Sequence, residues 1–141
     1  MSQFRQLFLI TSHNQLADIR RFIESSANQL GVDMEKTADM LVAANEATTN
    51  SFIHGFQEQA CELEVIVDYE DSVLTVHIID SAPAFDPTTL ATPDTDAPLD
   101  DRKPGGLGVY MLHEFTDEVL YKRTSHQQNV LVLKIGEPTH D

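Results

Sequence analysis

The stretch EATTNSFIHGF, Glu46–Phe56, decides how this chain is read. It closes a segment with helical spacing and places a carboxylate and a carboxamide, Glu46 and Asn50, four residues apart. Residues four apart on a helix differ by about 40° and face the same way. Val42 and Ile53 fall on that side too, so both polar groups border an apolar stripe. An ionised carboxylate there is costly to desolvate unless it is paired or put to use. Asn50 offers a neutral oxygen that suits a hard cation such as Mg²⁺. Glu46 could orient and deprotonate an attacking hydroxyl. The same pair also fits an ordinary helix border, with Glu46 facing solvent or a neighbouring strand.

Upstream of this stretch, FRQLFLI (Phe4–Ile10) reads as a strand, and Ser12 or Asn14 can cap the helical segment after it. Leu16, Ile19, Ile23, Ala27 and Leu30 recur at helical steps, and Gly31 is a natural stop. Asp33 caps a second helix to about His54, ended by Gly55. Its expected buried face is Met34, Ala38, Leu41, Val42, Thr49 and Phe52. Downstream, ELEVIVDY (Glu62–Tyr69) alternates apolar and acidic residues, and SVLTVHIID (Ser72–Asp80) comes after a tight turn at Glu70–Asp71. Together they predict a β-hairpin. Ser81–Pro104 holds five of the six prolines and shows no apolar period, which predicts a long functional loop. GGLGVYMLHEFTD (Gly105–Asp117) opens with glycines and turns helical, with Val109, Leu112 and Phe115 or Thr116 as its buried set. EVLYKR (Glu118–Arg123) and NVLVLKI (Asn129–Ile135) predict a second hairpin.

The order β-α-α-β-β-loop-α-β-β predicts one domain over residues 1–141. Its class is α+β: a two-layer sandwich, with a mixed, mostly antiparallel sheet and helices on one face. The length of 141 residues suits one core. The formal net charge of −14 disfavours nucleic acid as a partner and favours a basic protein surface. A nucleotide is still compatible, because backbone amides at a helix start hold phosphates without net positive charge. The lone Cys61 forms no intrachain disulfide. The N-terminus carries only a short apolar run, Leu7–Ile10, and no stretch approaches the length of a membrane span. The expectation is a soluble, cytoplasmic protein without membrane contact.

Two more polar clusters matter. In IIDSAPAFDP (Ile78–Pro87) an aspartate, Asp80, ends a buried strand where the chain turns out. A carboxylate so placed can accept from an exocyclic amine such as that of adenine, and it can equally be a plain strand-ending Asp before a Pro turn. In PGGLGVYML (Pro104–Leu112) glycines 105, 106 and 108 precede a helix, a turn whose amides can approach phosphates. It matches neither the Walker nor the dinucleotide pattern.

In combination the clusters are specific. EATTNSFIHGF, DSAPAFDP, GGLGVYMLHEFTDEVLY and NVLVLK, in this order, resemble the N-box, the D-x-G-x-x-F-D-P box, the second glycine box and the closing strand of the GHKL (Bergerat-fold) ATP-binding domains. Within that family the chain is most similar to the anti-sigma-factor serine kinases of bacterial partner switches. The similarity spans about residues 5–135. It implies ATP and Mg²⁺ as cofactors. Glu46 would be the general base and Asn50 the Mg²⁺ ligand. Asp80 would take the adenine amino group, with Ala82 beside it. Gly105, Gly106 and Gly108, with the amides of Leu107 and Val109, would wrap the phosphates. Residues of about 88–104 would form a lid, whose only cations are Arg102 and Lys103. The implied substrate is a STAS-type anti-anti-sigma antagonist, and the sequestered partner a sigma factor or other regulator. Family members are often homodimers, a state the strand pattern leaves open.

One position departs from the family. Ala82 stands where a glycine is usual, and a methyl there costs on the order of 1 kcal/mol where φ is positive. The lid is also acidic, with Asp94, Asp96, Asp100 and Asp101. Both features support an alternative, a non-catalytic or weakly nucleotide-binding module that sequesters its partner.

Overall fold

Strand β1 (Gln3–Ile10) leads through a 3-10 turn (His13–Gln15) into helix α1 (Leu16–Leu30) and then helix α2 (Met34–Asn50). This computed structural model describes residues 3–56, 59–81 and 112–136. Ser12 and Gln15 start α1: the Gln15 side chain accepts from the Ser12 backbone N–H at 3.1 Å. Gly31 ends it with φ 81°, a left-handed conformation open to glycine at no steric cost. Asp33 caps α2 by accepting from the Lys36 N–H at 2.8 Å, as expected of a residue at that position.

Strands β2 (Cys61–Glu70), β3 (Val73–Asp80), β4 (Glu118–Arg123) and β5 (Asn129–Ile135) complete the sheet. Its order is β1-β2-β3-β5-β4, and every pairing among the described residues is antiparallel. The β2–β3 turn falls at Asp71 and Ser72, one residue later than expected. Both have positive φ, 53° and 66°, the backbone that a two-residue hairpin turn demands. Residues 112–115 form a helical turn before β4.

Alternation along the strands sends Leu63, Val65, Val67, Leu74, Val76, Ile78 and Leu133 to one face, where all are essentially buried. Both helices lie there, α1 against β1 and β2, α2 against β3 and β5. On α1 most of the expected set is buried, Leu16, Ile19, Ile23 and Ala27, and Leu30 is half-buried. On α2 it is not. Met34 is 87% exposed and Ala38 is exposed, while Leu41, Val42 and Thr49 are half-buried. The core-facing side is Thr37, Met40, Ala43, Ala44, Ala47 and Thr48, with Phe52 beyond it. The buried face therefore follows small side chains that let the helix approach, not the largest apolar ones. Thr37 and Thr48 sit inside because their hydroxyls donate to the carbonyls of Asp33 and Ala44, each at 2.9 Å.

Truncating Leu133, fully buried on β5, should lower unfolding free energy by about 2–5 kcal/mol as Leu133→Ala. Met34→Ala should change it by less than about 0.5 kcal/mol. Urea titrations of both variants check the orientation of α2 as well as the core.

Candidate functional site

The stretch Glu46–Phe56 does not end as a regular helix. After Asn50 the α2 spiral widens into a π turn (Ser51–Gly55), closed by the Phe56 N–H donating to the Ser51 carbonyl at 2.9 Å. Such widened turns are rare and often sit at functional sites. This one comes directly after Asn50, the last residue of α2.

Asn50 is buried at 6% exposure. Its side-chain Nδ2 has no hydrogen-bond partner among the described residues. A buried amide group left unmatched costs stability, so a native structure that keeps one invites a functional explanation. Glu46 lies one helical turn earlier and is half-buried. The two are about 6 Å apart along the axis by helix rise.

The facing wall is the sheet. Ala47, Asn50 and Ser51 share one cleft with Ile78 and Asp80 of β3, Tyr121 of β4 and Asn129 and Leu131 of β5. Asp80, the last residue of β3, is buried at 7% exposure. Register places it opposite Asn129, whose Nδ2 donates to the Asp80 carboxylate at 2.8 Å. The Asn129 Oδ1 in turn accepts from the Tyr121 hydroxyl at 2.6 Å and from Arg123 at 2.8 Å. The carboxylate is thus held by a polar chain running across three strands. Cys61, at the start of β2, feels the same charge. Burial, and then the Asp80 carboxylate, push its thiol up to about 11.

Of the residues singled out in the sequence, the structure brings Asn50 and Asp80 to one cleft, with Glu46 a turn behind. Ala82, Gly105, Gly106, Leu107, Gly108 and Val109, like the lid of about 88–104 with Arg102 and Lys103, lie outside the described residues. The sequence reading missed Asn129, Tyr121 and Arg123. The one signal for Asn129 is a polar residue opening an otherwise apolar strand, NVLVLKI. Only the pairing of β3 with β5 gives it meaning.

The chain has relatives among known proteins. A model of the histidine kinase-like ATPase domain matches residues 11–135. The chain belongs to that family. It is 24% identical to an anti-sigma F factor of Clostridium acetobutylicum over 127 residues, 90% of this chain and 88% of the relative. It is 29% identical to the serine-protein kinase RsbW of Halalkalibacterium halodurans over 111 residues, 76% of this chain and 68% of the relative. Similarity to the serine/threonine-protein kinase BtrW of Bordetella bronchiseptica is 28% identity over 60% of each chain. Among the described residues no helix is long and apolar enough to cross a membrane.

The donor set suits the nucleotide and cation that an ATPase domain implies. A carboxylate offers about four lone-pair sites, so Asp80 can accept from more groups than Asn129. The Asn50 amide is buried with one end unmatched, and turning it over presents its oxygen, the atom a hard cation takes.

Removing Asn129 should be felt at Asp80. Asn129→Ala is expected to cost about 1–3 kcal/mol of stability, because a buried carboxylate loses a donor, and denaturant unfolding measures it. The Cys61 thiol should stay unreactive toward a disulfide reagent at neutral pH until the protein unfolds, since the thiolate is the attacking form. In Asp80→Asn its thiolate should form at lower pH, read from ultraviolet absorbance.

Proposed function

We infer that this chain is an ATP- and Mg²⁺-dependent protein serine kinase of a partner switch, working as one domain in the cytoplasm. Its substrate would be a small STAS-type antagonist, and it would sequester a sigma factor or other regulator. The observation that carries this reading is the cleft where the buried Asn50 amide, unmatched at Nδ2, sits with the Asn129-held carboxylate of Asp80, one turn from Glu46. Similarity to an anti-sigma F factor and to the serine-protein kinase RsbW supports it.

Roles come from the chemistry of each group. Asp80 accepts from the exocyclic amine of an adenine, and the Asn129–Tyr121–Arg123 chain fixes the carboxylate for it. Asn50 would give one oxygen to Mg²⁺, which would neutralise phosphate charge. The glycines at 105, 106 and 108, with the amides of Leu107 and Val109, would receive the phosphates, and Ala82 would line the adenine side. Bound ATP would supply the phosphoryl group. Glu46 would orient the serine hydroxyl of the antagonist and take its proton. Phosphoryl transfer is mostly positioning and charge neutralisation, so a base, one cation ligand and a backbone cradle suffice. The phosphorylated antagonist gains about −1.5 to −2 charge and is repelled by a chain of net charge −14. The resemblance implies a homodimer as well.

A specific observation, Ala82 in place of the usual glycine, favours the second reading: a partner-binding module with little or no nucleotide chemistry. Calorimetry with ATP, with and without Mg²⁺, separates the two. Mg²⁺-dependent binding is expected. Its absence at millimolar ATP would leave the binding module. Glu46→Gln should keep ATP affinity and lower transfer to the antagonist about 10²–10⁴-fold, the usual contribution of a general base. Asn50→Ala should abolish the Mg²⁺ dependence of binding. Full activity of either variant would contradict its assigned role.

A further inference from the structure

We propose that Arg123, assisted by Tyr121, is a positioning residue for base selectivity: it fixes the amide of Asn129 in the one orientation that makes Asp80 a rigid acceptor, and so favours a purine with an amine at position 6 over one with a carbonyl there. The proposal rests on reading the cleft as the adenine site.

Register puts Asp80, Asn129 and Arg123 in one cross-strand row on β3, β5 and β4. Tyr121 lies one row further in, opposite Leu131. A buried carboxylate thus stands at one end of the row and an exposed guanidinium at the other, with a buried amide between them. Two strand spacings, about 10 Å of backbone, separate the two charged residues. Asn129, Tyr121 and Asp80 line the cleft, whereas Arg123 stands outside its described lining, so it acts on a ligand through Asn129.

The direction of the amide follows from what each neighbour can do. A guanidinium only donates and an ionised carboxylate only accepts, whereas a tyrosine hydroxyl does either. Arg123 Nη1 at 2.8 Å therefore requires the Asn129 oxygen on its side, and this turns Nδ2 toward Asp80, to which it donates at 2.8 Å. Tyr121 donates to the same oxygen at 2.6 Å. Every bond in the row points from the cation to the carboxylate, and linked bonds of one direction strengthen each other.

Without Arg123 the far side of the amide is held by Tyr121, whose hydroxyl serves an oxygen or an NH₂ group alike. Asp80 must then order its own partner when a ligand arrives, and ordering on binding costs affinity. The loss falls on a base that donates to Asp80. An adenine amine does so. A carbonyl at the same position sets lone pair against lone pair and gains nothing from a fixed carboxylate. Inosine triphosphate, which carries that carbonyl, is the matching probe.

Calorimetry of the full chain with Mg²⁺ and either ATP or inosine triphosphate tests this. Wild type should prefer ATP about 10- to 100-fold, the range set by an unmatched buried acceptor. Arg123→Met should lower the ATP preference at least about fivefold, through weaker ATP binding and not tighter binding of the analogue. Tyr121→Phe, which leaves Arg123 in place, should lower it less. Arg123→Lys restores a donor and a charge and should recover most of the preference. Arg123 is exposed, so its variants should stay folded by circular dichroism. In the nucleotide-free protein, the side-chain amide protons of Asn129, followed by NMR, should shift in Arg123→Met and return toward wild type in Arg123→Lys. Variants that keep the wild-type preference while wild type binds ATP would overturn the selectivity and leave the kinase reading standing. An amide signal indifferent to residue 123 would overturn the proposed coupling. Wild type that binds neither nucleotide would overturn the kinase reading and take the selectivity with it.

Discussion

The candidate site depends on how closely α2 can lie on the sheet. The residues that touch β3 and β5 are mainly small, with Ala43, Ala44 and Ala47 at 2% exposure or less. A helix faced with leucine would ride higher and carry Asn50 away from the strands. With alanine in contact, the last turn comes down onto Ile78 and Leu131, and Asn50 shares a cleft with the carboxylate at the end of β3. Met40 and Phe52 supply apolar volume before and after the alanines, so close approach does not leave the layer empty. The π turn after Asn50 redirects the chain at the point where regular geometry would continue past the sheet.

Much of the fold was legible because its signals are local. Strand alternation placed β4 and β5 at their observed limits, and the stop of α1 at Gly31 reflects glycine's backbone freedom, whereas α2 ends at Asn50, short of the expected stop at Gly55. What failed was the rotation of α2. Hydrophobic size drew the expected stripe through Met34 and Val42, whereas proximity to the sheet is selected by smallness, which a scale of apolarity barely registers. The β2–β3 turn shifted by one residue for a related reason. Asp71 and Ser72 accept positive φ, and no apolar pattern reports that. At the site, Glu46, Asn50 and Asp80 were visible as polar residues in apolar surroundings. Asn129, Tyr121 and Arg123 were not, because their meaning lies in strands 49 residues apart in the chain coming side by side.

The cleft concentrates features that a stability-optimised protein would avoid. Asp80 is a buried carboxylate, and Asn50 carries a buried donor with nothing to give it to among the described residues. Each costs free energy in the absence of a ligand. Conflicts between local rules and the fold tend to fall at functional sites, and here two of them face each other across a single cleft. The polar chain from Arg123 and Tyr121 through Asn129 limits the cost at Asp80 without neutralising it. The result is an acceptor held in one orientation before any ligand arrives, so less ordering is left to be done on binding.

A sheet with both helices on one side has two unlike faces. On the covered face the buried carboxylate and carboxamides, Asp80, Asn50 and Asn129, gather at the edge where α2 ends, and there the cleft forms. Among the described residues no helix covers the other face, where Leu7, Leu9 and Leu120 are exposed. The chain's overall charge sharpens the contrast. At −14, two copies repel at a distance of many ångströms, yet that repulsion is screened within about 10 Å at ordinary salt. Contact is then governed by what each face presents locally. On the open face the acids Glu62, Glu64 and Asp68 stand on β2, across β3 from Lys134 on β5. Total charge therefore governs the approach of another molecule from afar, and the local pattern of each face governs contact.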